Sequence, residues 1–508
     1  MSADQDLDPD GPMPSWGQDA VSDLQLDAVL AVFGRRDVRG RAVARAALLH
    51  PLTDPQQVRY RHEVLADCAR NLSVVVELYE LAVETLAPDR DIAFALAMSR
   101  HSAAQLQLQL RAWSRLRGSI DRLRVIADDA RAHEFRSAGF TGFWSTVRST
   151  FDDDFLRSLD DLLHRASFEQ GTTMSAQIGN GGALAGLVPR VPRAQNHRMF
   201  GRAPLRRPSY DFTIPERDIG AAEALSYLED RALSELAEVV AVSVESLMST
   251  FARLRDETAF YLGVLDLRDE LARTGVATCL PVPLEVGTDT MDVAGLTDPG
   301  LALRSQAAPV GTDVTARETR LLVVTGANHG GKSTFLRAAG IAQLMAGAGM
   351  FVAASAYEGS LAPCVLPHWN RQEDASLTHG RLDAELARMS ALVDEASPGA
   401  VLLSNESFSS TNEAEGSQLA FEVITALAGA GIRVWCVTHL YTLSDRLARD
   451  EELRAVCLRA PRAAGGARSY RLEAGTPLRT SFAQDLYERE FGDEELSRAP
   501  AGEHRADG

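Results

Sequence analysis

From about Leu24 to Thr172, apolar positions recur every three or four residues, as in LSVVVELYELAVETL (72–86) and FLRSLDDLLHRA (155–166). That spacing puts an apolar stripe on one side of a helix. No proline interrupts the chain between Pro88 and Pro189. Residues 173–210 lose the period. They are rich in Gly, Pro and Ala, with strand-like fragments at best. A second Pro-free helical stretch is predicted from Asp218, as N-cap, to Arg273, with Gly275 as its stop. At ~1.5 Å per residue it would extend ~80 Å, the reach of a lever arm. After Val276 the texture changes to short apolar runs between helices: LLVVT, VLLS, VWCVT, VCLRA and SYRLEA. Strands apolar on both faces and joined by helices predict a parallel α/β sheet. The chain is therefore expected to be multidomain. It divides into an acidic disordered tail (1–23), a helical domain (24–275) with a Gly/Pro insertion at 173–210, an α/β domain (276–492) and a disordered tail (493–508).

Composition narrows the function. With 508 residues, 45% hydrophobic and 24% charged, the chain suits two to four globular domains. No run of ~20 apolar residues is present to span a bilayer. The first twenty residues lack the basic and apolar regions of a signal peptide, which points to the cytoplasm. Five cysteines stand far apart without a CxxC pair, against a disulfide framework or a zinc site. The charge balance, 52 − 70 = −18, excludes a uniformly phosphate-binding surface, so any nucleic-acid contact must be local. Residues 173–210 hold six arginines and no acid. That stretch is either a solvated loop or a phosphate-contacting element, with Arg190, Arg193, Arg206 and Arg207 as the DNA candidates.

Of the 52 basic residues, 51 are Arg; the single Lys is Lys332. A position that keeps Lys where Arg serves everywhere else marks a need for a compact ammonium. Lys332 lies in Thr325–Thr334, TGANHGGKST, which satisfies GxxxxGK[ST]. In that pattern Gly326, Gly330 and Gly331 let backbone N–H groups approach a phosphate. Lys332 bridges β- and γ-phosphates and Ser333 holds Mg²⁺. LLVVT precedes it as a buried strand, and FLRAAGIAQLMAGAG follows as a helix whose N-terminus faces the anion. VLLSNE (401–406) ends in Glu406, placed as general base for the attacking water. Asn405 stands where an Asp would help hold Mg²⁺, and would do so through a water. IRVWCVTH (432–439) brings His439 to a strand end, as a partner for the γ-phosphate or the water.

TGANHGGKSTFLR, EDASLTHGRLDAELARM, NESFSSTNEAEGSQLA and VTHLYTL, in that order, resemble the ATPase domain of the MutS family of DNA mismatch-repair proteins. The family's TGPNMGGKST is matched at Asn328, Gly330, Gly331, Lys332, Ser333 and Thr334, with departures at Ala327 and His329. Its DEIGRGTSTYDG is similar to Asn405–Gly416. Glu406, Thr411 and Gly416 match, while Asn405, Asn412 and Glu413 depart. The resemblance implies a P-loop NTPase (ABC-like) domain, ATP and Mg²⁺ as cofactors, and a homodimer with two composite sites. In such a dimer Thr411, Asn412 and Gly416 form a trans-site signature facing the partner's ATP. The departure at Asn412 bears on trans activation, and that at Asn405 on Mg²⁺ binding and turnover. HPLTDPQQVRYRHEVL (50–65), AQIGNGGALAGLVPR (176–190) and residues 218–275 are similar to the family's helical core and returning levers. No Phe-x-Glu occurs in the first 300 residues, and about 25 residues precede the apparent core, so mismatch readout is not expected. The reading is a Mg²⁺-dependent ATPase working as an ATP-gated dimeric clamp on DNA. The alternatives are a nucleotide-binding module with little turnover, or an ATPase acting on a protein partner.

Overall fold

A computed structural model of the chain describes residues 7–88, 102–166, 173–178, 184–190, 219–326, 330–370, 380–461 and 469–477. Asn328, Arg193, Arg206, Arg207 and the expected tail at 493–508 lie outside the described residues. Two compact units divide the chain: Arg70–Thr258, and Ser2–Ala69 together with Ala259–Gly508.

The first unit is mainly helical, with helices Leu72–Leu86, Ser102–Asp129, Ala138–Thr150 and Asp153–Ala166. Their apolar stripes meet in a core that includes Leu78, Leu106, Ile120 and Phe140. Helix Ala138–Thr150 starts where the Ser137 hydroxyl accepts the Phe140 N–H at 3.2 Å, a standard N-cap. Phe140 then stacks with Trp144 and Phe135. The Gly-rich stretch forms an antiparallel hairpin of β1 (Thr173–Ile178) and β2 (Leu184–Arg190), with Thr173 opposite Arg190. The 55-residue helix Ile219–Arg273 begins in this unit, and from Ala259 it belongs to the second. Gly275, at φ +85°, takes the left-handed conformation that ends it.

The second unit is built on sheets. Its strands are β3 (Val282–Leu284), β4 (Met291–Leu296), β5 (Thr312–Ala316), β6 (Leu321–Gly326), β7 (Ala356–Ser360), β8 (Val365–Trp369), β9 (Val401–Asn405), β10 (Arg433–Val437), β11 (Val456–Ala460) and β12 (Glu473–Ala474). One sheet has the order β12-β11-β6-β10-β9-β8, parallel except for β12. A second, β3-β7-β4-β5, is mostly antiparallel. The central strands β6, β9 and β10 are buried almost throughout, as a sheet covered on both faces requires. No described helix is long and apolar enough to cross a membrane.

The N-terminal expectations need correction. Residues 1–23 were expected to be a tail, yet Gly17–Asp23 is a helix with Trp16, Ala20 and Leu24 buried. Those three residues recur every four positions and make a short apolar stripe. The boundary expected at 24 also falls elsewhere, because residues up to Ala69 are compact with the α/β part. Leu52 and Val58 pack against Leu361. The Leu52 N–H donates to Gly347 O at 2.8 Å, and buried Arg61 donates to Ala348 O at 2.9 Å. Each Leu or Phe removed from water in this way contributes about 1.5–3 kcal/mol, enough to fix short helices that would not form alone.

Candidate nucleotide site

β6 lies between β10 and β11 and ends at Gly326. That residue has φ +118°, and a Cβ there would stand 2.8 Å from the Ala460 nitrogen, so no larger residue fits the turn. Gly331 is the N-cap of helix Lys332–Gly347. This helix is buried nearly all round, which fixes its N-terminal amides and positive dipole end in place.

Lys332 is the first residue of that helix and only 5% exposed. Its Nζ donates to Gly326 O at 2.8 Å, tying the start of the helix to the end of β6. Burial holds its pKa below the ordinary lysine value, and the Glu406 carboxylate opposes that shift. The next residue, Ser333, donates from Oγ to Asn405 Oδ1 at 2.8 Å. Asn405 ends β9 beside Val437 of β10. Glu406 follows at φ +57°, with its N–H on Val437 O at 2.8 Å.

A cavity of about 850 Å³ opens over this arrangement. Gly330, Gly331, Lys332, Ser333, Thr334 and Glu406 are among the residues that line it. Leu296, Leu301, Pro309, Val310 and Tyr470 add an apolar part to the lining. The lining thus combines cationic and polar groups with apolar ones. Asp298 sits in the wall, where it caps helix Pro299–Ser305 through Leu301 N and pairs with Arg337 at 2.6 Å.

The structure thus brings Lys332, Ser333 and Glu406 to one cavity, with Asn405 held through Ser333. It does not bring His439 there: that residue is exposed and is not among those lining the cavity. The neighbouring Thr438 is fixed by Val324 O and by Leu440 N–H. Asn412 caps helix Glu413–Gly429, accepting the Glu415 N–H at 3.0 Å. The Glu415 carboxylate takes both Thr411 Oγ1 and Asn412 Nδ2. Gly416 is buried under Phe408 O. Of the DNA candidates, Arg190 ends β2.

A hydrated Mg²⁺ is compatible with these donors. Mg²⁺ prefers oxygen, keeps several waters, and takes one or two protein ligands beside nucleotide phosphates. Ser333 Oγ and Asn405 Oδ1, already in contact, are two such oxygens, and Glu406 supplies the nearby negative charge. The apolar part of the lining was not anticipated from sequence. Leu301, Pro309, Val310 and Tyr470 come from separated loops and one short helix, with no shared periodicity to mark them.

Residues 53–274 match the MutS2 N-terminal domain family, and residues 322–476 match MutS domain V. The chain belongs to the MutS family. It is 24% identical over 476 residues to the DNA mismatch repair protein MutS of Chlorobaculum parvum (strain DSM 263 / NCIMB 8327), a match covering 84% of this chain and 52% of that protein. It is 32% identical over 170 residues to the Endonuclease MutS2 of Anaeromyxobacter sp. (strain Fw109-5), covering 31% of this chain and 20% of that protein. The chain therefore spans about half the length of the first relative and a fifth of the second. The domain V match contains Lys332, Ser333, Asn405, Glu406 and His439, whereas Leu296, Leu301, Pro309 and Val310 of the cavity lie outside it.

Proposed function

We propose that this MutS-family chain is a Mg²⁺-dependent ATP hydrolase with a P-loop NTPase domain of ABC type. The observation that carries the reading is the buried Lys332 ammonium, set at a helix N-terminus in a cavity shared with Ser333 and Glu406. The Gly330–Thr334 amides and Lys332 bind the β- and γ-phosphates. Ser333 and Asn405 would hold Mg²⁺, which when bound neutralises charge on the phosphate oxygens. The Glu406 carboxylate orients a water and accepts its proton as the water oxygen bonds to the γ-phosphorus and ADP leaves. The adenine ring rests against the apolar lining of Leu301, Pro309, Val310 and Tyr470. His439, exposed beyond the end of β10 and outside the cavity, takes no part in this reading.

Thr411, Asn412 and Gly416 at the head of helix Glu413–Gly429 form the proposed contact with ATP held by a second copy of the chain. The resulting dimer would clamp DNA under ATP control, with Arg190, Arg193, Arg206 and Arg207 contacting phosphates. Replacing those four arginines should lower the slope of log K against log salt by about 0.9 for each phosphate that is no longer neutralised. Hydrolysis itself is tested by steady-state ATP turnover of the intact chain and of Glu406→Gln. Loss of ~100-fold or more in rate with ATP still bound supports the enzyme. Tight ATP binding without turnover in the intact chain would favour a non-hydrolysing, nucleotide-gated module.

A further inference from the structure

The turn after β9 runs against local conformational preference. Glu406 and Phe408 both have positive φ, +57° and +60°, a region unfavourable for residues with a Cβ. It persists only where the surroundings over-determine it. Here much of that constraint comes from a carboxylate on another helix. Glu385, 8% exposed on helix Arg381–Glu395, accepts the Phe408 N–H with one oxygen and the Ser410 hydroxyl with the other, the latter at 2.8 Å. The buried Phe408 ring stacks with His368 at a centroid distance of 6.1 Å. His368 Nδ1 in turn lies 2.6 Å from Ser407 Oγ. Glu385 and His368 do not line the cavity, whereas Glu406, at the start of the turn, does.

We propose that Glu385 is a positioning residue whose carboxylate holds the 406–410 turn in the conformation that presents Glu406 to the cavity beside Lys332 and Ser333. The inference rests on the hydrolysis reading of that cavity, since Glu385 acts on the reaction only through Glu406. Its chemistry is that of an acceptor. A carboxylate takes two donors at once, one on each oxygen. Gln can take the Phe408 N–H on its oxygen and donate to Ser410, whose hydroxyl reverses its role. Ala can do neither, and the Phe408 N–H is left without its partner.

The test compares Glu385→Ala, Glu385→Gln and Ser410→Ala in the full chain, by ATP turnover and by hydrogen exchange of the peptide spanning 404–412. Glu385→Ala should lower kcat by about 10-fold or more, as expected for a misplaced catalytic group, with KM for ATP within about 2-fold. Exchange in the turn should rise by a similar factor. Glu385→Gln should recover most of both losses, and Ser410→Ala, which removes one bond of two, should fall between. Unchanged exchange in Glu385→Ala would overturn the proposal. So would a Glu385→Gln kcat as low as that of Glu385→Ala, because charge rather than hydrogen-bond geometry would then matter. If Glu385→Ala fails to fold, Ser410→Ala and Glu385→Gln carry the same comparison. If the intact chain turns over no ATP, the hydrolysis reading fails, while exchange in the turn still decides whether Glu385 holds it.

Discussion

Gly416→Ala tests the fit between the 406–410 turn and helix Glu413–Gly429. A Cβ at residue 416 would stand 2.4 Å from Phe408 O and 3.4 Å from Thr411 Cγ2. A comfortable carbon–oxygen contact is about 3.3 Å, so the Phe408 carbonyl must retreat by about 0.9 Å. That carbonyl belongs to the turn carrying Glu406, which has its own partners on Glu385 and His368. In an unobstructed helix, Gly→Ala gains about 0.5–1 kcal/mol. Overpacking of this kind costs about 1–3 kcal/mol, so the net change should be destabilising by about 1 kcal/mol. A shift near 1 Å in a catalytic group costs about 100-fold in rate, so turnover should suffer more than stability. Gly429, in the same helix, has nothing within 4 Å of its Cβ position. Gly429→Ala should therefore stabilise the protein and leave turnover intact. Urea unfolding and ATP turnover of the two variants side by side make the assay. Equal stabilisation by both alanines would refute the packing argument.

Two further substitutions probe the buried polar framework. Arg433, 1% exposed, donates to the carbonyls of Ser360, Leu361 and Gly399. Arg433→Met should cost about 2–5 kcal/mol in urea unfolding because it strips a donor from several buried acceptors at once; a loss below about 1 kcal/mol would contradict that. Burial pushes the His62 pKa down to about 4, against a backbone hydrogen bond with Met350 that works the other way. The native state thus keeps His62 neutral, while the unfolded chain takes up a proton below about pH 6.5. The resulting stability is present above pH 6.5 and lost as pH falls toward 4, by up to about 3 kcal/mol. His62→Gln should remove that part of the acid sensitivity, read as the difference between the two pH–stability curves.

The strand before Lys332 and the helix that starts at it were legible in the sequence because their constraints are local. LLVVT is apolar at successive positions, as a strand buried on both faces must be, and Lys332 stands out against 51 arginines. The stop at Gly275 was legible for the same reason. The placement of residues 24–69 was not. Helical periodicity shows that a helix has a buried face but does not name the partner, and here Leu52 and Val58 face Leu361. Nor did anything in RLDAELARM mark Glu385 as a support for Phe408, since the contact links residues 23 apart through the fold. The four-stranded sheet β3-β7-β4-β5 escaped notice because its strands are short and β3 pairs with β7 across more than 70 residues.

The most direct test is isothermal calorimetry of the full chain with Mg-ATP, alongside Lys332→Ala. A saturable heat of binding in the intact chain, weakened by about 10- to 100-fold in the variant, is the outcome expected when one charge-assisted bond to phosphate is removed. Equal affinity in both proteins, or no heat in either, would mean that the turn bearing Lys332 does not hold a nucleoside triphosphate.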